Sequence, residues 1–207
     1  MENDGQGGGQ SGSDDGVKYT VYPMERLEYL ESLAKESDRG CLLVGISEID
    51  HWLGAILLRV LSAKGGAVDA KWLLDPKAGN RPLGSLAMRT RIAFALGLIE
   101  GHTRKALDAL RDLRNEHAHG TKDFSILDDH VDPLLAILRD HFPGGAEKRI
   151  AMYKTRKVSN ARAKLNACMA LVLAELQITD FYLEHHGTVE PVFQVESGDK
   201  GDNPGVQ

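Results

Sequence analysis

Cysteine is nearly absent from this chain, whose 207 residues include only Cys41 and Cys168. Two thiols cannot supply the disulfide framework of a small secreted domain, and both lie in apolar helical patterns, so we expect small core residues. The start of the chain has no basic segment that leads into an apolar stretch, and no run of about 18 uncharged apolar residues occurs. These absences predict a cytoplasmic protein without a signal peptide or a membrane span.

Glycine and acidic residues concentrate at the two ends of the chain. Residues 1–16 contain four acids and no base, and residues 188–207 contain four acids and one base. Such segments bury too little apolar area to offset the entropy lost on ordering. We therefore predict a disordered acidic tail at 1–16, a folded domain at 17–187 and a flexible acidic tail at 188–207. The tails either aid solubility or bind a partner.

The central domain is nearly neutral once the tails are set aside. The whole chain has 25 basic and 30 acidic residues, of which 24 and 22 lie between the tails, a net charge of +2. An apolar fraction of 42% over this length is enough for a buried core. This charge excludes nonspecific binding of nucleic acid over a broad surface, but it does not exclude RNA binding.

Helical periodicity dominates residues 23–186. It predicts helices at 24–38, 41–63, 83–99, 103–118, 127–140 and 159–185. Pro133 is expected to kink or delay the fifth of these helices. Residues 165–174 contain no charge, so this part of the last helix is predicted to be buried, in the bundle centre or at a subunit interface. The predicted fold class is all-α, a single helical bundle of about five to six helices.

Residues 82–119 contain the most specific pattern in the chain. This segment resembles the mannitol operon repressor (MtlR-like) family, and the likeness extends over residues 42–124, with a looser likeness in the last helix. The matching runs are Leu73-Leu74-Asp75, Pro82-Leu83-Gly84-Ser85, Arg91, Ala95-Leu96-Gly97-Leu98-Ile99, Leu110-Arg111-Asp112-Leu113-Arg114-Asn115 and Ala118-His119. The resemblance implies a regulatory protein that acts on gene expression indirectly, through protein partners. We also expect a homodimer formed through the long apolar helices.

Direct binding to a specific DNA sequence is the least favoured alternative. The sequence has no zinc-finger spacing and no helix-turn-helix pattern with a basic recognition helix.

A second motif lies at the end of the same segment. The run Arg114-Asn115-Glu116-His117-Ala118-His119 is similar to the Arg-x4-to-6-His signature of HEPN (higher eukaryotes and prokaryotes nucleotide-binding) domains, many of which are metal-independent ribonucleases. This resemblance implies an alternative function, toxin or defence RNA cleavage, with Arg114, Asn115 and His119 as catalytic residues that meet across a dimer. Inactive members keep a similar motif, so a buried polar clasp or a reused binding site remains the other interpretation.

The three side chains of this motif suit RNA cleavage. RNA supplies its own 2′-hydroxyl nucleophile, so the protein must move a proton and stabilise charge on phosphorus. His119 would exchange the proton near neutral pH, Arg114 would donate two parallel hydrogen bonds to the phosphate, and Asn115 would orient either group. In a straight helix Arg114 and His119 point about 140° apart. They converge only if the helix ends near residue 118 or if they act from two subunits.

His117 projects onto the apolar side of the same helix, and this position predicts a hydrogen-bonded core histidine.

Residues 147–164 contain seven bases and one acid. Arg156 and Lys157, together with Arg111 on the helix of the motif, are the predicted phosphate-binding residues. The alternatives for this stretch are a solvated beginning of the last helix or a surface that holds an acidic tail.

No metal site and no cofactor is predicted. The runs Asp128-Asp129-His130 and His185-His186 lack a second ligand pair at a fixed spacing. The glycine pairs fit neither a P-loop nor a dinucleotide-binding fingerprint.

Overall fold

The computed structural model describes residues 33, 35–75, 81–118 and 124–187. These residues form seven helices and no strand, which confirms the all-α class. The helices are α1 (Asp38–Gly65), α2 (Ala67–Leu74), α3 (Leu86–Ala95), α4 (Gly101–Ala118), α5 (Asp128–Arg139), α6 (Gly145–Lys154) and α7 (Asn160–His186). The two predicted tails lie outside the described residues, as does most of the predicted helix at 24–38.

The ends of the two long helices follow from single residues. The hydroxyl of Ser37 accepts a hydrogen bond from the Gly40 amide at the start of α1, and the hydroxyl of Ser159 accepts one from the Arg162 amide at the start of α7. Gly187 ends α7 at a φ of 71°, in the left-handed region that glycine adopts without strain. The predicted bounds of both helices are therefore correct to within a few residues.

The last helix forms the centre of the bundle. α7 packs against α1, α4, α5 and α6. Eight of the ten residues from 165 to 174 are buried, namely Leu165, Asn166, Ala167, Cys168, Met169, Leu171, Val172 and Leu173. Of the two predicted locations for this uncharged segment, the bundle centre is the one observed.

α1 is long and apolar enough to cross a membrane by length and composition alone, with a mean hydropathy of 1.6 in its most apolar stretch. Its buried side chains, however, pack against other helices of the same bundle. Ile46, Ile49, Leu53, Ile56 and Leu57 are all at most 3% exposed, and α1 contacts α2, α3, α4 and α7. This pattern is typical of a core helix.

Two short helices, α2 and α6, are absent from the sequence prediction, so the described part of the bundle has more helices than expected. The predicted helix at 83–99 is shorter in the structure. Ser85 caps α3 by accepting a hydrogen bond from the Met88 amide, and Gly97 turns the chain at a φ of 70°.

Pro133 does not delay its helix. α5 begins at Asp128, and Pro133 is its sixth residue. The Nδ1 atom of His130 accepts a hydrogen bond from the Leu127 amide at 3.2 Å, which stabilises the first turn ahead of the proline.

Arg162 joins the beginnings of α1 and α7. Its guanidinium, 3% exposed as a residue, forms an ion pair with Asp38 and donates hydrogen bonds to the carbonyls of Leu33 and Glu36. A buried cation needs such a set of acceptors to offset its loss of hydration.

Both cysteines are core residues, as predicted. Cys41 and Cys168 are fully buried free thiols, and the Cys41 thiol donates a hydrogen bond to Asn166 Oδ1. Burial raises the pKa of Cys41 to about 11 and that of Cys168 to about 12. For Cys41 the nearby Arg162 offsets part of the effect.

We predict that Arg162→Met lowers the free energy of unfolding by about 3 kcal/mol, because Asp38 loses its ion-pair partner and two carbonyls lose their hydrogen-bond donor. The matched control is Arg139→Met. The Arg139–Glu147 ion pair has a similar N–O distance of 2.8 Å, but both side chains are about half exposed. Urea unfolding measures both variants, and an equal loss in the two would contradict the assigned role of Arg162.

The raised thiol pKa values predict a pH dependence of stability. The folded protein holds the thiol protons above pH 9, where the unfolded chain releases them, so stability is intact below about pH 9 and falls as pH rises toward 11. Cys41→Ala should reduce the steepness of this fall in urea unfolding between pH 8 and 11. At neutral pH a thiol reagent should modify neither cysteine in the native protein and both in urea, and rapid native modification would contradict this account.

Candidate functional site

The sequence-predicted motif lies on the exposed surface of α4. Arg114 and Asn115 are both exposed on its last described turn. Their exposure does not agree with a buried polar clasp, which was one interpretation of the motif. His119 lies outside the described residues, so its position relative to Arg114 stays a prediction.

His117 packs by ring stacking. Its ring is half-buried and stacks on Phe124, with ring centres 4.0 Å apart, while the ring of His130 lies 5.0 Å away. Among the described residues, the Nε2 atom of His117 has no hydrogen-bond partner and lies 3.7 Å from Glu116 Oε2. The described contacts of this half-buried ring are therefore mainly aromatic, which differs from the predicted hydrogen-bonded core histidine.

Arg111, the first predicted phosphate ligand, is engaged by acidic neighbours. Its guanidinium contacts Asp108 and Asp112, each at 2.8 Å. The hydrogen bond to Asp112 is the main cause of a raised pKa for Arg111. A phosphate would have to compete with both carboxylates.

Arg156 and Lys157, the other two predicted phosphate ligands, are exposed in the turn between α6 and α7. Lys157 has a φ of 59°, an uncommon conformation for a residue with a side chain. These two residues and Arg111 thus lie on different elements of the bundle.

Some basic residues of the stretch 147–164 form ion pairs within the bundle. Arg162 is buried against Asp38, and the Lys164 ammonium contacts Asp128 at 2.7 Å and also Asp132. These carboxylates raise the pKa of Lys164 through hydrogen bonding. At least two of the seven bases therefore stabilise the beginning of α7 instead of forming a free cationic surface.

A buried arginine, Arg89, joins three segments of the bundle. Arg89 donates hydrogen bonds of 2.8 Å to the carbonyls of Leu74 and Leu83, and its Nη1 atom lies 2.9 Å from a carboxylate oxygen of Asp50. This contact joins α1, the end of α2 and the loop before α3. A Cβ atom at Gly54 would lie 3.2 Å from Arg89 Nη1, so glycine gives the guanidinium its space.

A histidine cluster that the sequence analysis did not find lies at the other end of α4. The ring of His102 is buried and stacks on His141, with centres 3.6 Å apart and planes 17° apart. Its Nδ1 atom lies 3.2 Å from Glu100 Oε2, and its Nε2 atom lies 3.2 Å from Glu175 Oε2. Thr103 donates a hydrogen bond to the other oxygen of Glu175.

This histidine cluster borders a cavity of about 550 Å³, lined by Glu100, Gly101, His102, Lys105, Ala136, Ile137, Asp140 and His141. One ligand atom each from Glu100, His102 and His141 lies within 4.8 Å of the other two. These three residues could hold a metal ion. No short sequence motif contains all three residues, because His141 is far from Glu100 and His102 in the chain. The packing of α4 on α5 brings them together.

No family model, no curated protein and no solved structure matches this chain.

We predict that Arg89→Lys lowers the free energy of unfolding by about 3 kcal/mol, since one ammonium cannot reach the acceptors on three elements. The control is Arg91→Lys, two residues along α3, where the side chain is exposed and a change within about 0.5 kcal/mol is expected. Thermal and urea unfolding measure both variants. An Arg89→Lys protein as stable as the wild type would contradict the structural role assigned to Arg89.

Proposed function

We propose that this chain is a cytoplasmic regulatory protein of the MtlR-like kind, which acts on gene expression by binding a protein partner. The observation that supports it is an exposed apolar surface on α2, formed by Val68 and Trp72 and bordered by Arg81. We call this the α2 surface.

α2 is apolar on two opposite sides. Ala70 and Leu74 are buried on the side that faces the bundle. Val68 and Trp72, one turn apart on the other side, are 81% and 51% exposed. A helix of a monomer ordinarily presents a polar face to water. The outer side of α2 is therefore suited to a contact with another protein.

The Trp72 ring is held beside a cation. The guanidinium carbon of Arg81 lies 3.9 Å from the centre of the ring, a distance at which a cation–π interaction contributes about 0.5–1 kcal/mol at an exposed site. Tryptophan and arginine are the residue types that most often dominate the energy of protein interfaces. Because Trp72 is already oriented, less side-chain entropy is lost when a partner covers it.

Lys71 is exposed beside Trp72, and Arg81 adds a second positive charge. Asp69 is also exposed on this helix, so charges of both signs border the apolar centre of the α2 surface. We propose that this surface, which carries charges of both signs, also contacts a second copy of the chain in a homodimer.

Trp72→Ala tests the α2 surface, and Phe94→Ala is the matched control. Phe94 is an exposed aromatic residue whose ring also lies near an arginine, Arg104, at 4.8 Å. We expect Trp72→Ala, but not Phe94→Ala, to weaken dimerisation at least about tenfold in sedimentation equilibrium. A wild-type chain that stays monomeric, or equal effects of the two substitutions, would contradict the proposed dimer contact.

The regulatory role is tested in the source cells by transcript measurement. Trp72→Ala should change the same transcripts as deletion of the gene, while Phe94→Ala should leave them at wild-type levels. Transcripts that do not respond to the deletion would overturn the regulatory function itself.

A HEPN-type ribonuclease is the second candidate, and the exposure of Arg114 and Asn115 favours it. Neither side chain is buried in the core, so both are accessible to an RNA phosphate. The proposed chemistry uses Arg114 to stabilise charge on phosphorus and His119 to move the proton.

The ribonuclease candidate is tested by incubating the full chain with mixed RNA in EDTA, beside Arg114→Ala and His119→Ala. Cleavage that persists in EDTA and is lost in both variants would support it. Absence of cleavage by the wild-type chain would exclude it. Arg104→Ala, on the same helix, is the control for a general loss of positive charge.

A further inference from the structure

His102 lies between two carboxylates at the start of α4. Its side chain is 7% exposed, and each ring nitrogen is 3.2 Å from a carboxylate oxygen, Glu100 on one side and Glu175 on the other. Within the part of the chain that the structure describes, neither nitrogen has a hydrogen bond of good geometry, and Glu175 Oε2 also has no hydrogen-bond partner. This buried group is therefore only partly satisfied within the chain.

A neutral imidazole has one N–H and can satisfy one of the two carboxylates. Glu175 is the better acceptor for it, because Thr103 already fixes this carboxylate through a hydrogen bond to its other oxygen. With the proton on Nε2, the Nδ1 lone pair lies on the side of Glu100. Two electron-pair donors 3.2 Å apart repel each other, and a cation bound by both removes this repulsion.

A histidine that donates one N–H to a carboxylate and offers the other nitrogen is the usual arrangement around protein metal ions. Two ligand atoms on one tetrahedral Zn²⁺ lie about 3.3 Å apart, given metal–ligand distances of about 2.0–2.1 Å. The 3.2 Å between His102 Nδ1 and Glu100 Oε2 matches this value.

His141 is the third donor. It is exposed, and its ring stacks on His102 with nearly parallel planes. A metal ion in the plane of both rings requires His141 to turn out of this stack. Exposed side chains, such as this one in the turn after α5, change rotamer within picoseconds to nanoseconds.

The local charge favours a cation. Glu100, Glu175 and Asp140 surround the cluster, while Lys105 is the one base lining the cavity among the described residues. The amino-terminal end of α4 adds only about half a positive charge. Negative charge thus exceeds positive charge around His102.

We propose that Glu100, His102 and His141 bind a divalent transition-metal ion of the Zn²⁺ class, with a fourth position open to the cavity of about 550 Å³. Two imidazoles and one carboxylate favour Zn²⁺ over Mg²⁺ or Ca²⁺, which prefer oxygen ligands. This site is independent of the proposed regulatory function.

The test uses the full chain, first treated with EDTA and then titrated with Zn²⁺ by isothermal calorimetry. We expect one saturable site per chain. Glu100→Gln and His141→Ala change exposed residues, so both variants should fold, and each should weaken Zn²⁺ binding at least about tenfold. Glu175→Gln should weaken it by about 10–100-fold by removing the carboxylate that orients His102.

His185→Ala is the matched control, since His185 is exposed on α7 away from the cluster and should not affect Zn²⁺ binding. Co²⁺ substitution gives a second readout, the visible absorption of a tetrahedral site, which should be lost in His141→Ala. Absence of a saturable site, or equal binding by wild type, Glu100→Gln and His141→Ala, would overturn the proposal. Equal binding by the three proteins would place the ion on other residues.

Discussion

The uncharged middle of α7 is stable only when it is buried from water on all sides. The arrangement of the other helices follows from this constraint. Each fully buried leucine in residues 165–174 is worth about 1.5–3 kcal/mol relative to its exposure in water. α1, α4, α5 and α6 supply the covering surfaces. Polar groups in this centre depend on specific partners, as when Asn166 accepts a hydrogen bond from the Cys41 thiol and Arg162 pairs with Asp38.

Because one chain covers α7 by itself, surfaces for other molecules must lie on the outside of the bundle. The α2 surface is apolar although its opposite side already contributes to the core. The two ends of α4 differ in chemistry, with the exposed Arg114 and Asn115 at one end and the His102 cluster beside a cavity at the other. The buried centre thus fixes the helices on which these three regions lie.

The long helices were predictable from the sequence because their apolar periodicity extends over many turns and serine and glycine mark their ends. α2 was missed because it has only eight residues, too few for a clear period after the glycine pair. α6 was missed because its buried residues are only Ala146, Ile150 and Tyr153. The charged residues between them obscure the apolar periodicity.

The site was less predictable than the fold for a physical reason. Arg114 and Asn115 were found because they are neighbours in a short motif. The cluster of His102, His141 and Glu175 exists only through the packing of α4 against α5 and α7, which no local spacing encodes. The exposure of Arg114 likewise depends on which side of α4 faces the core, and the ring stack of His117 depends on Phe124, beyond the end of that helix.

The central claim is that residues 165–174 are covered within one chain and that association uses the outer side of α2. Hydrogen–deuterium exchange at low and high protein concentration tests it most directly. The account predicts that residues 165–174 are equally protected at both concentrations, whereas residues 67–74 gain protection as the chains associate. Protection of residues 165–174 that rises with concentration, with no change in residues 67–74, would contradict it.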